Sequence, residues 1–472
     1  MPLENARKAN GLFLARLEEQ VAALQLTTFP GRHPGPYCWL AIVRGIIDTA
    51  NAYLSSSRDA EIGIDQANKL VVDAAALGQL AVKCLGDLKG AEASELPYQL
   101  VRPLQRWLDQ LGIDRTTFFR AEHAPNYELA KFGPGYFQVR DPSPSLQEAM
   151  KGIEWPIHRV TVPSRSLGML PYFAVVAHEA GHAIFERISS DIEQGLNGRS
   201  DAAADLLERV AGRLGKNALE TAETMRVIKV LSNWIEELAA DSVAHIIVGP
   251  AFYFALFGFL EMSWPSLGIA ETHPPSDLRR SLLFGKMQSP HGTNYAQVFL
   301  SRTGVELRKD INSPGLTLCP DPDDLFDKLK AFEMLKAGGH PELDAAIMTE
   351  MVAYMEEVHD VVHSCCENYL KANFANLVYT PDKFEADLDR HLNALCALIP
   401  PIEAEEEGIL RPAALATILN VGWAVLLTRM DVIPSPNGAY GNEDAKRMER
   451  VHALLVKAVE LAEARHAWED AA

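Results

Sequence analysis

The segment AVVAHEAGHAIF, residues 174–185, contains two histidines four positions apart, with a glutamate directly after the first. On an α-helix, His178 and His182 lie about 40° apart around the axis and one turn apart along it, so both imidazoles face one side. Two imidazoles in this arrangement can bind one Zn²⁺ at about 2.0–2.1 Å. Glu179 can then reach a metal-bound water without ligating the ion, accept its proton and pass that proton to a leaving amine. The segment therefore predicts a metal-dependent hydrolytic site.

The residues around this motif predict a buried helix. AVVA precedes His178 and AIF follows His182, and histidines buried in such an apolar setting need polar partners. Ala180 and Gly181 are small, which leaves space for a substrate or a second helix to come close. The motif helix is therefore expected to pack tightly against its neighbours.

A hydrolytic zinc site needs a third protein ligand and an open fourth position for water. In NWIEELAADSVAH, residues 233–245, Glu237 and Asp241 are four apart on one helical face. We predict that Glu237 ligates the metal and that Asp241 accepts the other ring N–H of a ligand histidine. Glu236 is the alternative ligand, but it points about 100° away from Glu237 and has Ala240, not an acid, four residues later.

The segment ETHPPSDLRR, residues 271–280, places His273 and Arg279 around a Pro-Pro turn that begins a helix. A tetrahedral oxyanion beside the metal needs a cationic or hydrogen-bond-donating partner. His273 and Arg279 are candidates for that role or for holding the substrate backbone. A purely structural turn is the alternative, and the sequence does not choose between them.

The order HEAGH, ELAAD and THPPSDLR resembles the gluzincin metalloproteases of the HtpX and CAAX prenyl protease type, whose pattern is HExxH, ExxxD and THP-x4-R. The resemblance covers roughly residues 170–285 and implies a zincin-like metalloprotease core. The chain differs from this family at Ala239, where the family usually has an acid. The resemblance implies these roles: zinc ligands His178, His182 and Glu237, general base Glu179, outer partner Asp241, and a third element with His273 and Arg279.

A second string, HDVVH at residues 359–363, has the same histidine spacing. His359, His363 and Glu367 recur at i, i+4 and i+8, which puts the first and last about 12 Å apart along a helix, too far to bind one ion. A hydrolase site around Asp360 would need further acids and histidines from elsewhere, and His391 is the nearest in sequence. We predict an ordinary, partly buried helix here.

Apolar residues at three- and four-residue intervals dominate the chain and predict helices. Only two segments are predicted as strands, YFQVR (136–140) and HRVTVP (158–163), and the second is a candidate edge strand for pairing with a peptide backbone. After the motif helix, further helices are predicted at about 200–213 and 217–248. The acidic segment IPPIEAEEEGILRP (399–412) is predicted to be a solvated connector.

These elements predict a mainly α fold with a small β-sheet, and the resemblance implies that a zincin-like core lies between the flanking helical regions. The predicted division is an N-terminal helical region (1–135), a zincin-like catalytic domain (136–290) and a C-terminal helical region (291–472).

Composition excludes some partners. The chain has 63 acidic and 44 basic side chains, a formal net charge of −19, which argues against nucleic acid. The apolar stretch at 243–260 contains His245 and a Gly249–Pro250 break and is predicted as a buried core helix, not a membrane span. The N-terminal residues have no apolar signal segment, and the six cysteines form no CxxC pair. These features predict a soluble protein with reduced thiols in the cytoplasm.

Two functions stay open at this level. One is a zinc metallopeptidase that acts on a peptide or protein substrate. The other is a non-catalytic helical binding or scaffold protein that retains a protease-like zinc site. Glu179 favours the enzyme, because a structural zinc site has no need of a general base. The sequence does not specify the substrate, the choice between endopeptidase and exopeptidase, or the oligomeric state.

Overall fold

The computed structural model of the chain describes residues 2–29, 34–59, 61–113, 116–123, 127–197, 202–262, 272–288, 294–307, 341–404, 410–434 and 443–469. Over these residues the fold is mainly helical, with 15 α-helices and two small sheets, which confirms the predicted fold class at this level. Tertiary contacts divide the chain into two compact units, Met1–Leu167 and Gly168–Ala472.

The first unit begins with long amphipathic helices, as their apolar spacing predicts. Its α-helices are α1 (Pro2–Leu24), α2 (Gly35–Ser56), α3 (Ile64–Gly90), α4 (Tyr98–Gln110) and α5 (Pro144–Lys151). The core of this unit is built around Trp39, whose ring centroid lies 4.9–5.4 Å from those of Phe118, Phe132 and Phe137.

The sheet of the first unit has the order β1-β3-β2, with β1 (Phe118–Glu122) parallel and β2 (Glu128–Phe132) antiparallel to β3 (Ile157–Pro163). HRVTVP is therefore a strand, as predicted, but it is the central strand and not an edge. Since β1 and β2 pair with its two sides, it cannot accept a peptide backbone. The strand predicted for YFQVR is wrong, because Pro134–Phe137 forms a 3-10 turn that buries Phe137.

The second unit contains the motif helix and the remaining elements. Its α-helices are α6 (Val176–Asn197), α7 (Ala202–Arg213), α8 (Thr221–Val248), α9 (Pro250–Met262), α10 (Ser276–Met287), α11 (Tyr295–Thr303), α12 (Pro341–Asn373), α13 (Pro381–Cys396), α14 (Leu415–Thr428) and α15 (Glu443–Glu469). Helices α6, α8 and α12 pack against one another, and α10 contacts both α8 and α12. The helices predicted at about 200–213 and 217–248 are thus present as α7 and α8.

The apolar stretch at 243–260 forms the end of α8 and most of α9, and the two helices meet at Gly249. This glycine has φ of 69°, a left-handed backbone conformation that favours glycine. Buried Asn420 of α14 joins the two helix ends, because its amide donates to the carbonyl of Val248 and its side-chain oxygen accepts from the N–H of Ala251. Residues 243–258 are buried, as predicted, but they belong to two helices and not to one. Among the described residues, no helix is both long enough and apolar enough to cross a bilayer.

The boundaries of the two units differ from the predicted regions. The sheet belongs to Met1–Leu167 and the motif helix to Gly168–Ala472, whereas the sequence put both into 136–290. The reason is that β3 pairs with strands from the N-terminal part of the chain, while α12 packs on the motif helix. The assignment of functions to the three predicted regions stays a prediction.

The acidic segment at 399–412 is not simply a connector. Its ends form an antiparallel pair, β4 (Ile402–Ala404) with β5 (Leu410–Pro412). Residues 405–409, which include most of the acidic run, lie outside the described residues.

Candidate metal centre

Helices α6 and α8 approach closely enough to bring their polar residues together. A Cβ atom added to Gly181 would lie 2.6 Å from Cα and 2.7 Å from the carbonyl oxygen of Ala240, distances that no real contact reaches. Only a glycine therefore fits at this crossing. The small residues noted in the sequence are what lets the two helices pack.

Three side chains meet where these helices cross. His178 Nε2 lies 3.4 Å from Glu237 Oε2, and His182 Nε2 lies 3.6 Å from Glu237 Oε1. One donor atom from each of His178, His182 and Glu237 lies within 4.8 Å of the other two, so these residues could hold a metal ion. This is the only such group of three among the described histidines, cysteines and acids.

The other ring nitrogens of both histidines face carboxylates of α8. His178 Nδ1 lies 2.9 Å from Asp241 Oδ1, and His182 Nδ1 forms a hydrogen bond of 2.9 Å with Glu236 Oε1. In the neutral ring, a carboxylate in this position favours the tautomer that has its proton on Nδ1, so that Nε2 can bind a metal. The sequence predicts the Asp241 contact, but it treats Glu236 only as an alternative ligand.

Arg279 of α10 is buried beside the two acids. Its Nε and Nη2 donate to the two carboxylate oxygens of Asp241 at 2.7 and 2.6 Å, and its Nη1 lies 3.5 Å from Glu237 Oε2. The guanidinium thus pairs with the carboxylates of Asp241 and Glu237 and holds them in place. The acidic partner of Arg279 is not evident from the sequence, because the two residues are 38 positions apart.

The charges of neighbouring side chains, and not burial alone, set the pKa values of the residues in this centre. Burial acts to lower the pKa of His178, but the carboxylates of Glu237 and Asp241 outweigh it and raise that pKa to about 10. Burial acts to raise the pKa of Glu237, and His178 and Arg279 instead lower it to about 2. The pKa of Asp241 is lowered and that of Arg279 is raised, in each case by their mutual pairing against the effect of burial.

Glu179 and His273 lie at the same centre. Glu179 is buried, and its charge contributes to raising the pKa of Arg279 together with the larger effect of Asp241, against burial. His273 precedes α10 as predicted, and its Nε2 lies 3.4 Å from Glu237 Oε1. Its side chain is 42% exposed, whereas that of Glu237 is 7% exposed. Burial lowers the pKa of His273, and Glu237 opposes that effect. The exposed side of the centre is therefore the side of His273.

The chemistry of the donors fits a borderline divalent cation such as Zn²⁺. Two imidazole nitrogens and one carboxylate form a ligand set that zinc enzymes use. Glu237 Oε2 is buried and accepts no hydrogen bond of normal geometry within the described part of the chain, and its ion-pair contacts with His178 Nε2 and Arg279 Nη1, at 3.4 and 3.5 Å, leave it able to bind a cation. The ring of Phe252 on α9 stacks on the imidazole of His178, with an interplanar angle of 8°.

The HDVVH string belongs to a different group of histidines. His359 and His363 of α12 and His245 of α8 form what we call the apolar histidine cluster, with ring centroids 6.0 and 6.1 Å from that of His363. His245 Nδ1, His359 Nε2 and His363 Nδ1 are buried without a hydrogen-bond partner. These three residues do not bring three donor atoms within 4.8 Å of one another, so they form no comparable metal group.

Comparison of the chain with protein families, with curated proteins and with solved structures gives no match. The function must therefore be argued from the geometry of the centre.

Proposed function

We propose that the protein is a zinc-dependent metallopeptidase of the gluzincin type, with a zincin-like arrangement of α6 and α8. One observation carries the proposal. Both Nε2 atoms of His178 and His182 point to the carboxylate of Glu237, while each Nδ1 faces a further acid. An arrangement of histidines for packing alone has no need of this orientation.

In this proposal His178, His182 and Glu237 hold Zn²⁺, which when bound would acidify a water and polarise a peptide carbonyl. Glu179 accepts the proton of the attacking water and passes it to the leaving amine. His273, the most exposed of the polar side chains here, donates a hydrogen bond to the oxyanion that develops on the carbonyl.

Arg279 is not proposed to stabilise the oxyanion or to hold the substrate backbone, the two roles for which the sequence makes it a candidate. Its Nε and Nη2 are engaged by Asp241, and it is 5% exposed, so it has no free face for a substrate. Arg279 therefore acts by fixing Asp241 and Glu237, and it does not contact the oxyanion.

The experiment is a comparison of Glu179→Gln with the native protein on a mixture of peptides, with cleavage followed by mass spectrometry. Because general-base catalysis contributes about 10²–10⁴-fold, turnover should fall by at least about 100-fold while one zinc per chain is retained. The matched control is Glu193→Gln, an exposed acid further along α6. Equal activity of Glu179→Gln and the native protein refutes the assignment.

One observation favours the alternative of a non-catalytic scaffold. His273 Nε2 is as close to Glu237 as His178 Nε2 is, but it lies outside the group of three donors that come within 4.8 Å of one another, so His273 would have to move closer to fill the fourth coordination position and close a structural site. The His273→Ala variant separates the two functions. In a peptidase it keeps the zinc and lowers kcat, whereas in a structural site it weakens zinc binding.

The cytoplasmic location is part of the proposal. All described cysteines, at positions 38, 84, 365, 366 and 396, are free thiols, which supports a reducing compartment.

A further inference from the structure

We propose that Glu236 is a positioning residue that orients His182 and strengthens its bond to the metal. This inference rests on the metal site of the proposed function. It assigns to Glu236 a task other than that of an alternative ligand.

The position of Glu236 excludes it from the ligand set. Its Oε1 contacts Nδ1 of His182 at 2.9 Å, whereas Glu237 lies on the Nε2 side of the same ring. The two nitrogens lie on opposite sides of the imidazole, so one metal ion cannot bind Nε2 and Glu236 together. Glu236 and Glu237, which follow one another on α8, thus contact opposite sides of the His182 ring.

The two histidines are supported unequally. Asp241, the acid on His178, is almost fully buried and is held by two hydrogen bonds from Arg279. Glu236 is 38% exposed, and His182 is 25% exposed. Within the part of the chain that the structure describes, Glu236 forms no ion pair other than its contact with His182. Glu236 is therefore the acid that contacts Nδ1 of His182, and it is itself less constrained than Asp241.

Loss of Glu236 has two expected consequences. The ring of His182 is free to rotate away from the metal, and it can adopt the other tautomer, in which the proton is on Nε2. Both effects weaken the metal bond. Partners of this kind contribute about 10–100-fold to metal affinity.

The test is the zinc affinity of the full chain, measured by competition with a chromophoric chelator, for the native protein, Glu236→Ala and Glu236→Gln. We expect Glu236→Ala to bind zinc about 10–100-fold more weakly. Glu236→Gln keeps an acceptor oxygen for Nδ1 but no charge, so its affinity should lie between the other two. Glu193→Ala is the control and should bind zinc as the native protein does.

A second measurement separates positioning from a general effect on folding. Cobalt-substituted protein should show a changed visible absorption band in Glu236→Ala, because the ligand field of His182 changes. A purely structural role would instead lower the stability of the metal-free protein and leave both the affinity and the band unchanged. If Glu236→Ala folds poorly, Glu236→Gln carries the same comparison.

The inference is overturned if both Glu236 variants bind zinc within twofold of the native affinity, or if the native chain binds no zinc. Its failure is distinct from that of the peptidase proposal. Unchanged affinity together with loss of cleavage in Glu179→Gln removes only the inference, whereas weakened affinity in a chain that cleaves no peptide removes only the peptidase.

Discussion

Two groups of histidines that pack against the same helix, α8, have opposite environments. In each group a neighbouring helix supplies two histidines four residues apart: His178 and His182 from α6, and His359 and His363 from α12. In the candidate metal centre the histidine nitrogens face acids of α8. In the apolar histidine cluster α8 supplies His245, and among the described residues no acid forms an ion pair with any of the three rings, each of which has one buried nitrogen without a hydrogen-bond partner.

Ionisation follows this difference. Acids outweigh burial and raise the pKa of His178 to about 10. Burial, followed by the charges of His359 and Lys286, lowers the pKa of His245 to about 4. Burial and Lys286 likewise lower the pKa of His359 to about 4. The same residue spacing thus gives a candidate cation-binding centre or a neutral apolar contact, depending on which side chains the facing helix supplies.

The largest expected difference between the two groups is in metal binding. Glu237→Gln removes a charged ligand, so zinc should be lost on dialysis, whereas His363→Gln should retain one zinc per chain. Elemental analysis of the dialysed proteins measures this. Retention of zinc by Glu237→Gln, or its loss from His363→Gln, would contradict the assignment of metal binding to the first group.

Removal of one acid should make the first group resemble the second. Asp241→Asn leaves the buried guanidinium of Arg279 without its charged partner, and loss of one member of a buried pair costs about 3–5 kcal/mol. The free energy of unfolding, measured with urea in the presence of a chelator, should fall by that amount. Glu193→Gln, which removes an exposed charge, should change it by less than about 0.5 kcal/mol. A similar small change in Asp241→Asn would show that the pair contributes little.

Separation of the helices tests whether their close packing holds the centre together. Gly181→Ala forces a methyl group into the backbone of Ala240, and such overpacking costs about 1–3 kcal/mol. Zinc affinity should fall as well, because the ligands come from the two separated helices. Gly212→Ala on α7 is the matched control, since its added methyl group meets nothing within 4 Å. Equal stability of the two variants would contradict this view of the crossing.

The apolar histidine cluster should govern stability in mild acid. His245 and His359 have pKa values of about 4 in the folded chain and about 6.5 when unfolded, so the unfolded chain binds more protons between these values. The contribution of these two histidines to stability is complete above pH 6.5 and falls as the pH drops towards 4, by up to about 1.4 kcal/mol per pH unit for each histidine. Lys286 strengthens this effect, whereas Asp241 and Asp360 oppose it.

Urea unfolding of the metal-free protein at several pH values between 6.5 and 4 measures this slope. His359→Gln carries no titrating ring and should reduce the slope, whatever its effect on stability at neutral pH. An unchanged slope in His359→Gln would mean that protonation of His359 does not cause the loss of stability in mild acid.

The sequence predicted the helices of this chain better than its strands. Helices such as α6 and α8 have apolar residues at helical spacing, and that pattern is local. β2 has the sequence ELAKF, whose residues favour helices, and it is a strand because it pairs with β3. YFQVR has alternating strand-like residues, but Phe137 is drawn into the aromatic contacts around Trp39. Pairing partners distant in sequence decided both segments.

For the candidate centre, the sequence alone determined which residues are able to bind a metal. The spacing of His178, His182 and Glu179 follows from one helix, and the spacing of Glu237 and Asp241 from another. Only the tertiary structure decided that the two helices cross at Gly181, that Glu236 contacts His182, and that Arg279 holds Asp241. The physical reason is that helical periodicity fixes which side chains share a face. The partners of that face depend on how separate helices pack.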